Sequence, residues 1–371
     1  MPSRLGKAIL SYGIPLALLV WIFHDLNVRE AVTSLRGLRW ELVAAAVVVD
    51  VLGYVFQALR WRALLAPLGR LPLLRLVQAI YTGLFVNEIL PMRTGEVVRA
   101  FLVARWTSVR FRSVLPSMAV ERLLDGVILT LAIGLAASFL PLPAGLTQAA
   151  EILGALILVL TVVFVYLVLR AARLPGTQAT EGTQGEGTQG TVTGGPCVPD
   201  RAAHGVLETF RRMLADIAEG IGQLGSGRLL SEASFFSLLL LASQALSFWL
   251  IIRAAGYGLS IWAGAAVLLI VHLGTAIPNA PANIGSYQFF CIVGLGLFGV
   301  GKSQATGLAF VIFLILTIPL WLLGWVALHK THLSLEQIRV NTRRWRGAEF
   351  ENNERMISET PAFRAPQERR T

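Results

Sequence analysis

Apolar residues come in long runs separated by short, arginine-bearing connections. Predominantly apolar runs cover about 8–23, 41–58, 116–140, 152–170, 232–252 and 305–328. A helix rises about 1.5 Å per residue and the bilayer hydrocarbon core is about 30 Å thick, so these runs have membrane-spanning length. Two further runs are broken. Residues 77–90 stop at Pro91, continue through Met92-Arg93-Thr94-Gly95-Glu96, and become apolar again over 97–103. Residues 261–277 stop at Pro278-Asn279-Ala280-Pro281-Ala282-Asn283 and resume over 284–300. Proline lacks a backbone N–H and disfavours helix in the residue before it, so both runs predict helix–break–helix hairpins. The predicted fold class is an all-α polytopic membrane protein of about six full spans plus two re-entrant hairpins, with an inverted repeat as an option.

Composition sharpens this picture. Of 371 residues, 55% are hydrophobic and only 15% are Asp, Glu, Lys or Arg, against about 25% charged in soluble globular chains. A soluble enzyme, a nucleic-acid-binding domain and a disordered regulator are all excluded. The formal net charge of +10 reads first as a topology signal, because the arginines flank the apolar runs. Counting Arg and Lys in short connections puts 57–75, 105–115, 170–231 and both termini in the cytoplasm and 140–151 and 253–260 outside. The two hairpins then open to opposite sides. Arg29, Arg36 and Arg39 run against this scheme, in an external segment whose Val28, Ala31, Val32, Leu35 and Leu38 predict a helix on the membrane surface. The first run follows Arg4 and Lys7 without a small-x-small cleavage site and is read as a retained span. Cys197 and Cys291 are too few for a disulfide framework.

Residues 1–330 form the predicted transmembrane domain. Within it, the Gly, Thr and Gln-rich stretch 175–200 lacks the apolar side chains to offset its ordering entropy and is expected to be disordered. Residues 203–226 carry Leu207, Phe210, Leu214, Ile217, Ile221 and Leu224 at helical spacing, predicting a cytoplasmic amphipathic helix. The charged segment 331–371 is expected to be a mobile tail.

Three constellations could carry chemistry. The first runs from Asn87 to Arg99 and places Glu88, Arg93, Glu96 and Arg99 around the first break, with Gly95 permitting a tight reversal. A helix starting near Gly95 aims its N–H groups at the break and favours anions. Two readings fit: a polar cavity at membrane depth, or an interfacial loop whose arginines snorkel to the surface. The second, Pro281 to Gln288, offers neutral hydrogen bonding from Asn283, Ser286, Tyr287 and Gln288, with Asn283 as helix N-cap. Pro91-x-x-x-Gly95 and Pro281-x-x-x-Gly285 share their spacing, which fits either an inverted repeat with a midplane site or two unrelated kinked spans. In the third, Glu121 and Asp125 share a helix face with Arg122 about 100° around it. They hold a proton or cationic group, or else pair with Arg93 or Arg99 as a structural lock. His272 is read as an interhelical hydrogen-bonding group because no second ligand lies at metal spacing. No nucleophile elbow, Walker loop, zinc motif or dinucleotide fingerprint is present, so no enzyme, metal or cofactor is nominated.

Leu59-Arg60-Trp61-Arg62, Leu90-Pro91-Met92-Arg93-Thr94-Gly95-Glu96-Val97-Val98-Arg99, Glu121-Arg122-Leu123-Leu124-Asp125 and Pro278 to Tyr287 resemble, in order, the transmembrane region of lysylphosphatidylglycerol synthases and the wider flippase-like family of bacterial and archaeal membrane proteins. The resemblance covers most of 8–328. Ala282 departs where relatives often carry glycine, and Gln288 where many carry an acidic residue or histidine, which would alter coupling or substrate if that position handles protons or headgroups. The synthases' aminoacyl-transferring domain has no counterpart in these residues, so lipid aminoacylation is not implied. What the resemblance implies is translocation, across the cytoplasmic membrane, of a lipid or lipid-linked intermediate with an anionic or polyprenyl-phosphate headgroup. Glu88, Arg93, Gly95, Glu96, Arg99, Glu121, Arg122, Asp125, Pro281, Asn283, Gly285, Tyr287 and Gln288 are the expected substrate-binding residues. A non-transporting partner of a glycosyltransferase or lipid-modifying enzyme is the alternative, and no nucleic acid is expected.

Overall fold

The computed structural model describes residues 37–69, 71–90, 94–107, 111–139, 227–276 and 283–331, with isolated positions between 148 and 166. The predicted spans at 8–23 and 152–170, the surface helix, the 175–200 linker, the 203–226 helix and the tail, like Pro91, Arg93 and Pro281, lie outside the described residues or nearly so. Every regular element among the described residues is helical. In order these are α1 (Trp40–Leu65), a short 3-10 turn (Ala66–Leu68), α2 (Leu73–Ile89), α3 (Thr94–Thr107), α4 (Phe111–Phe139), α5 (Gly227–Ala254), α6 (Ile261–Ala276), α7 (Ser286–Leu297) and α8 (Lys302–Lys330).

The local reasons are readable. Glu41 sits in the first turn of α1 and Arg62 in its last, matching the helix dipole, and Pro67 and Gly69 (φ 133°) end it. α2 stops at Leu90, whose φ −105° and ψ 137° are the extended values that the following Pro91 imposes. Ser260 accepts from the Ala263 N–H at 3.2 Å at the start of α6. Helix α7 corrects one expectation: its N-cap is Gly285 (φ 91°), while Asn283 lies upstream in the left-handed region (φ 50°). Gly95 corrects another. It lies inside α3, not at a reversal, and its hydrogen is needed because a Cβ there would come within 1.8 Å of the Gly83 carbonyl oxygen. Gly83 and Gly95 let α2 and α3 cross backbone to backbone, and Asn87 Oδ1 accepts the Gly95 N–H at 2.7 Å.

Helices α1 and α5 pack antiparallel along their length. The Arg39 N–H donates to the Ala254 carbonyl (3.0 Å), Ser247 Oγ to the Ala46 carbonyl (2.9 Å) and Arg60 Nη1 to Ser237 Oγ (3.2 Å), so the start of one helix meets the end of the other. A core forms at each end of this pair. Trp61, Leu65, Leu76, Ile80, Leu102 and Val114 fill one, drawn from α1–α4. Phe248, Ile251, Val267, Leu295 and Ile312 fill the other, drawn from α5–α8 with the start of α1.

The packing is invariant when α1, α2, α3 and α4 are exchanged for α5, α6, α7 and α8. The α2–α3 hairpin answers α6–α7, α8 on α2 answers α4 on α6, α3–α4 answers α7–α8, and α1–α2 answers α5–α6. Lengths follow suit: 26, 17, 14 and 29 residues in the first set and 28, 16, 12 and 29 in the second. Outside, the bundle shows large apolar side chains, among them Leu131, Leu238, Leu322 and Trp325, a surface suited to lipid.

Candidate functional site

Arg60 near the end of α1, Arg99 in α3 and Glu121 in α4 converge where α1, α3, α4 and α5 meet. The Glu121 carboxylate is fully buried, and each oxygen is taken. Oε1 accepts from Arg60 Nη2 (2.6 Å), Arg99 Nη1 (3.1 Å) and Gln57 Nε2 (3.4 Å), and Oε2 from Arg99 Nη2 (2.9 Å). Arg99 therefore grips the carboxylate bidentately, the strong planar arrangement of a guanidinium fork. Its Cζ also lies 4.9 Å from the ring centroid of Trp61, whose Nε1 donates to Ser117 Oγ at 3.1 Å.

The network continues outward. Arg60 Nη1 also pairs with Asp125 and donates to Ser237 Oγ, so Glu121 and Asp125, one turn apart, are bridged by one arginine. Arg122 pairs with Asp125 (3.2 Å) and with Glu96 of α3 (3.0 Å). Side-chain exposure climbs from 0% at Glu121 and 1% at Arg60 to 24% at Glu96, 35% at Asp125 and 45% at Arg122. Three arginines face three carboxylates, so the chain is neutral overall and runs from a dry interior to an accessible mouth. Two donors are left over: Nε of Arg60 and Nε of Arg99 are buried without a hydrogen-bond partner among the described residues.

Of the expected site residues, Glu96, Arg99, Glu121, Arg122 and Asp125 are brought together. Gly95 serves the helix crossing instead. Glu88 does not share this cluster: it lies beside Trp321 of α8. In the second hairpin Gln288 turns back on its own helix start, its Oε1 accepting the Gly285 N–H at 2.8 Å. Tyr287 packs against Phe313 (centroids 5.3 Å apart) and Phe248 (6.4 Å). Tyr54 of α1 is within electrostatic reach of both Glu88 and Tyr287. No hydrogen bond of the His272 side chain is seen among the described residues; it faces α4 within electrostatic reach of Asp125. Arg60 was missed as a site residue because a basic residue at a span's end reads as a topology marker, and Gln57 and Ser237 because single polar residues in apolar helices carry no spacing signal.

Three helices, Trp40–Leu68, Arg228–Ala254 and Lys302–Lys330, are long and apolar enough to cross a bilayer. With a buried charge chain inside and an apolar exterior, they define a polytopic integral membrane protein. The sequence model of the lysylphosphatidylglycerol synthase transmembrane region matches residues 5–182 and 199–324, and the chain belongs to that family. It is also similar to the glycosyltransferase AglD of Haloferax volcanii, with 34% identity over 97 residues, covering 26% of this chain and 16% of that protein. The chain thus spans a small part of that relative's length. No solved structure matches.

Proposed function

We propose that the protein moves the anionic headgroup of a lipid or lipid-linked intermediate across the membrane and performs no covalent chemistry of its own. The observation that carries this reading is the buried Arg60–Glu121–Arg99 bridge, with both Nε donors unpartnered. A phosphate presents the same planar pair of acceptor oxygens to a guanidinium fork as a carboxylate does. Glu121 thus occupies the place a phosphate would take, and a headgroup entering past Arg122 would exchange with it on Arg99. An ionised group at the bilayer centre costs at least about 2.5–3.5 kcal/mol on insertion scales, which is why unaided headgroup crossing is slow.

The exchange-invariant packing about two antiparallel central helices supports an inverted repeat, the architecture in which paired broken helices present a site near the midplane to alternate sides. On this reading α2–α3 and α6–α7 are re-entrant hairpins entering from opposite faces, and Arg93 at the first break joins the headgroup path.

The test is a headgroup-accessibility assay in proteoliposomes carrying labelled anionic phospholipids and polyprenyl phosphates. Wild type should transfer at least one of these lipids faster than empty vesicles. Arg99→Lys, which keeps the charge and loses the fork, should slow transfer about 10- to 100-fold, as expected for a lost charge-assisted hydrogen bond of roughly 1.5–3 kcal/mol. Transfer no faster than in empty vesicles for every lipid removes the proposal. The similarity to a glycosyltransferase favours one second reading, a membrane partner of a lipid-glycosylating enzyme. Co-purification of such an enzyme, undiminished by Arg99→Lys and lost on deletion of 203–226, would select it.

A further inference from the structure

The arginine–carboxylate chain leaves one ionisable side chain of the central helix unexplained. Asp50 is the only Asp, Glu, Lys, Arg or His in α1 between Glu41 and Arg60. At about 1.5 Å per residue it lies roughly 13 Å from one and 15 Å from the other, in the middle of the span. It is only 7% exposed. Among the described residues no hydrogen bond or ion pair reaches it, in contrast to Glu121 with two arginines.

What surrounds it is hydroxylic. Tyr54, one turn along α1, packs against Tyr81 of α2 with ring centroids 5.4 Å apart. Asp50 is within electrostatic reach of Tyr54, Tyr81 and Tyr287 of α7, and Glu88 of α2 reaches the same group through Tyr54. Among the described residues these are the titratable groups within electrostatic reach of it. Helix α5 brings serines to the same stretch of α1: Ser247 Oγ donates to the Ala46 carbonyl, and Ser243 Oγ to the Leu239 carbonyl while its Cβ faces Gly53. No titratable side chain of α4 or α8 is seen to pair with Asp50. The Tyr81 and Tyr287 hydroxyls are both buried without a partner among the described residues. Carboxyl and free hydroxyls thus lie where the first hairpin (α2), the second (α7) and the central antiparallel pair come together.

We propose that Asp50 is a proton-binding site, holding a proton while the two hairpins are packed as here and releasing it when their separation admits water to the tyrosine-lined seam. A carboxylate at membrane depth without counter-charge costs several kcal/mol, whereas the neutral acid buries cheaply and can donate to a tyrosine oxygen. Release balances simply: the carboxylic acid gives its proton to water, and the exposed carboxylate is then hydrated. The competing occupant is a sodium ion, and the experiment separates the two. The proton site stands independently of lipid movement; its use as the coupling ion rests on the translocation reading.

The experiment uses the full chain in lipid nanodiscs. Dicyclohexylcarbodiimide, which reacts with protonated carboxyls in membranes, should form an adduct on the Asp50 peptide, read by mass spectrometry. The adduct should be suppressed by raising pH and unaffected by sodium. Infrared difference spectra across the same pH step should show a carboxylic-acid C=O band that is lost in Asp50→Asn, shifted in Asp50→Glu and retained in Glu88→Gln. A band unchanged in Asp50→Asn, or an adduct suppressed by sodium at constant pH, overturns the proposal. The adduct needs no variant, so a poorly folding Asp50→Asn does not remove the test. In proteoliposomes a pH gradient should bias lipid transfer by wild type and not by Asp50→Asn. A protein with the band and no lipid transfer would refute translocation alone.

Discussion

Replacing Glu121 with Gln tests whether the buried chain holds the fold through charge. Gln keeps the volume and one acceptor oxygen but sets an amide donor against a guanidinium donor and deletes the negative charge. Arg60 would retain Asp125, whereas Arg99 would lose its bidentate partner at 5% side-chain exposure. At an effective dielectric near 20, unit charges about 4 Å apart attract by roughly 4 kcal/mol. Removing one partner of a buried pair is observed to cost about 3–5 kcal/mol, because it strands the other charge. We therefore expect Glu121→Gln to lower unfolding stability by about 3–5 kcal/mol, and Arg99→Gln by less, since Glu121 would still hold Arg60. The Glu121→Gln/Arg99→Gln double variant strands no charge and should be more stable than the sum of the singles predicts by about 1–3 kcal/mol. Stability would be followed by circular dichroism during SDS titration in mixed micelles. Additivity within about 0.5 kcal/mol, or a Glu121→Gln cost below about 1 kcal/mol as for an exposed pair, would refute the reasoning.

The remaining predictions use the same titration. Asp125→Asn should cost about 1 kcal/mol or less, because Asp125 is 35% exposed and Arg60 keeps Glu121. Gly95→Ala should cost about 1–3 kcal/mol, since the added methyl meets rigid backbone at Gly83, whereas Gly134→Ala, with nothing within 4 Å, should be neutral or slightly stabilising. Asn87→Ala removes the acceptor for the Gly95 N–H and should cost about 1 kcal/mol with the fold intact.

Helix positions were legible because the signal is periodic and long. The runs 41–58, 232–252 and 305–328 reappear as the interiors of α1, α5 and α8, each extended at both ends by residues too polar to read as span. The breaks near Pro91 and Pro278 were legible as chemistry. What sequence could not supply was direction around a helix. Glu88 and Arg99 lie on the two arms of one hairpin, yet one meets Trp321 and the other Glu121, because the Gly83–Gly95 crossing fixes how the arms face. Arg60 and Arg62 are two residues apart, and only one is buried; that choice is made by α4, distant in sequence. Asp50 was not among the expected site residues, although it stands in the sequence as a lone carboxylate inside an apolar run.

The helix pairings repeat between the two sets of four helices, but the charge does not. In an ungapped sequence register that sets Pro91 on Pro281 and Gly95 on Gly285, the positions of Arg60, Arg99 and Glu121 fall on Leu250, Phe289 and Val311. Leu250 and Phe289 pack against the second core, and Val311 lies within it, so the same backbone arrangement closes with hydrocarbon at one end and with an ion network at the other. Hydrocarbon packing alone is therefore enough to close this fold, and ionic groups of this kind are often no more stabilising than apolar replacements of like volume. On that argument the charges at the first hairpin are expected to serve something besides holding the helices together. This yields a last prediction: replacing Arg60, Arg99 and Glu121 together by Leu, Phe and Val should leave a folded bundle whose unfolding free energy is within about 2 kcal/mol of wild type, well above that of Glu121→Gln. The same triple variant should transfer no anionic lipid in proteoliposomes. A triple variant that fails to fold would show the ion network to be the local core, whereas one that folds and still transfers lipid would move the headgroup path elsewhere.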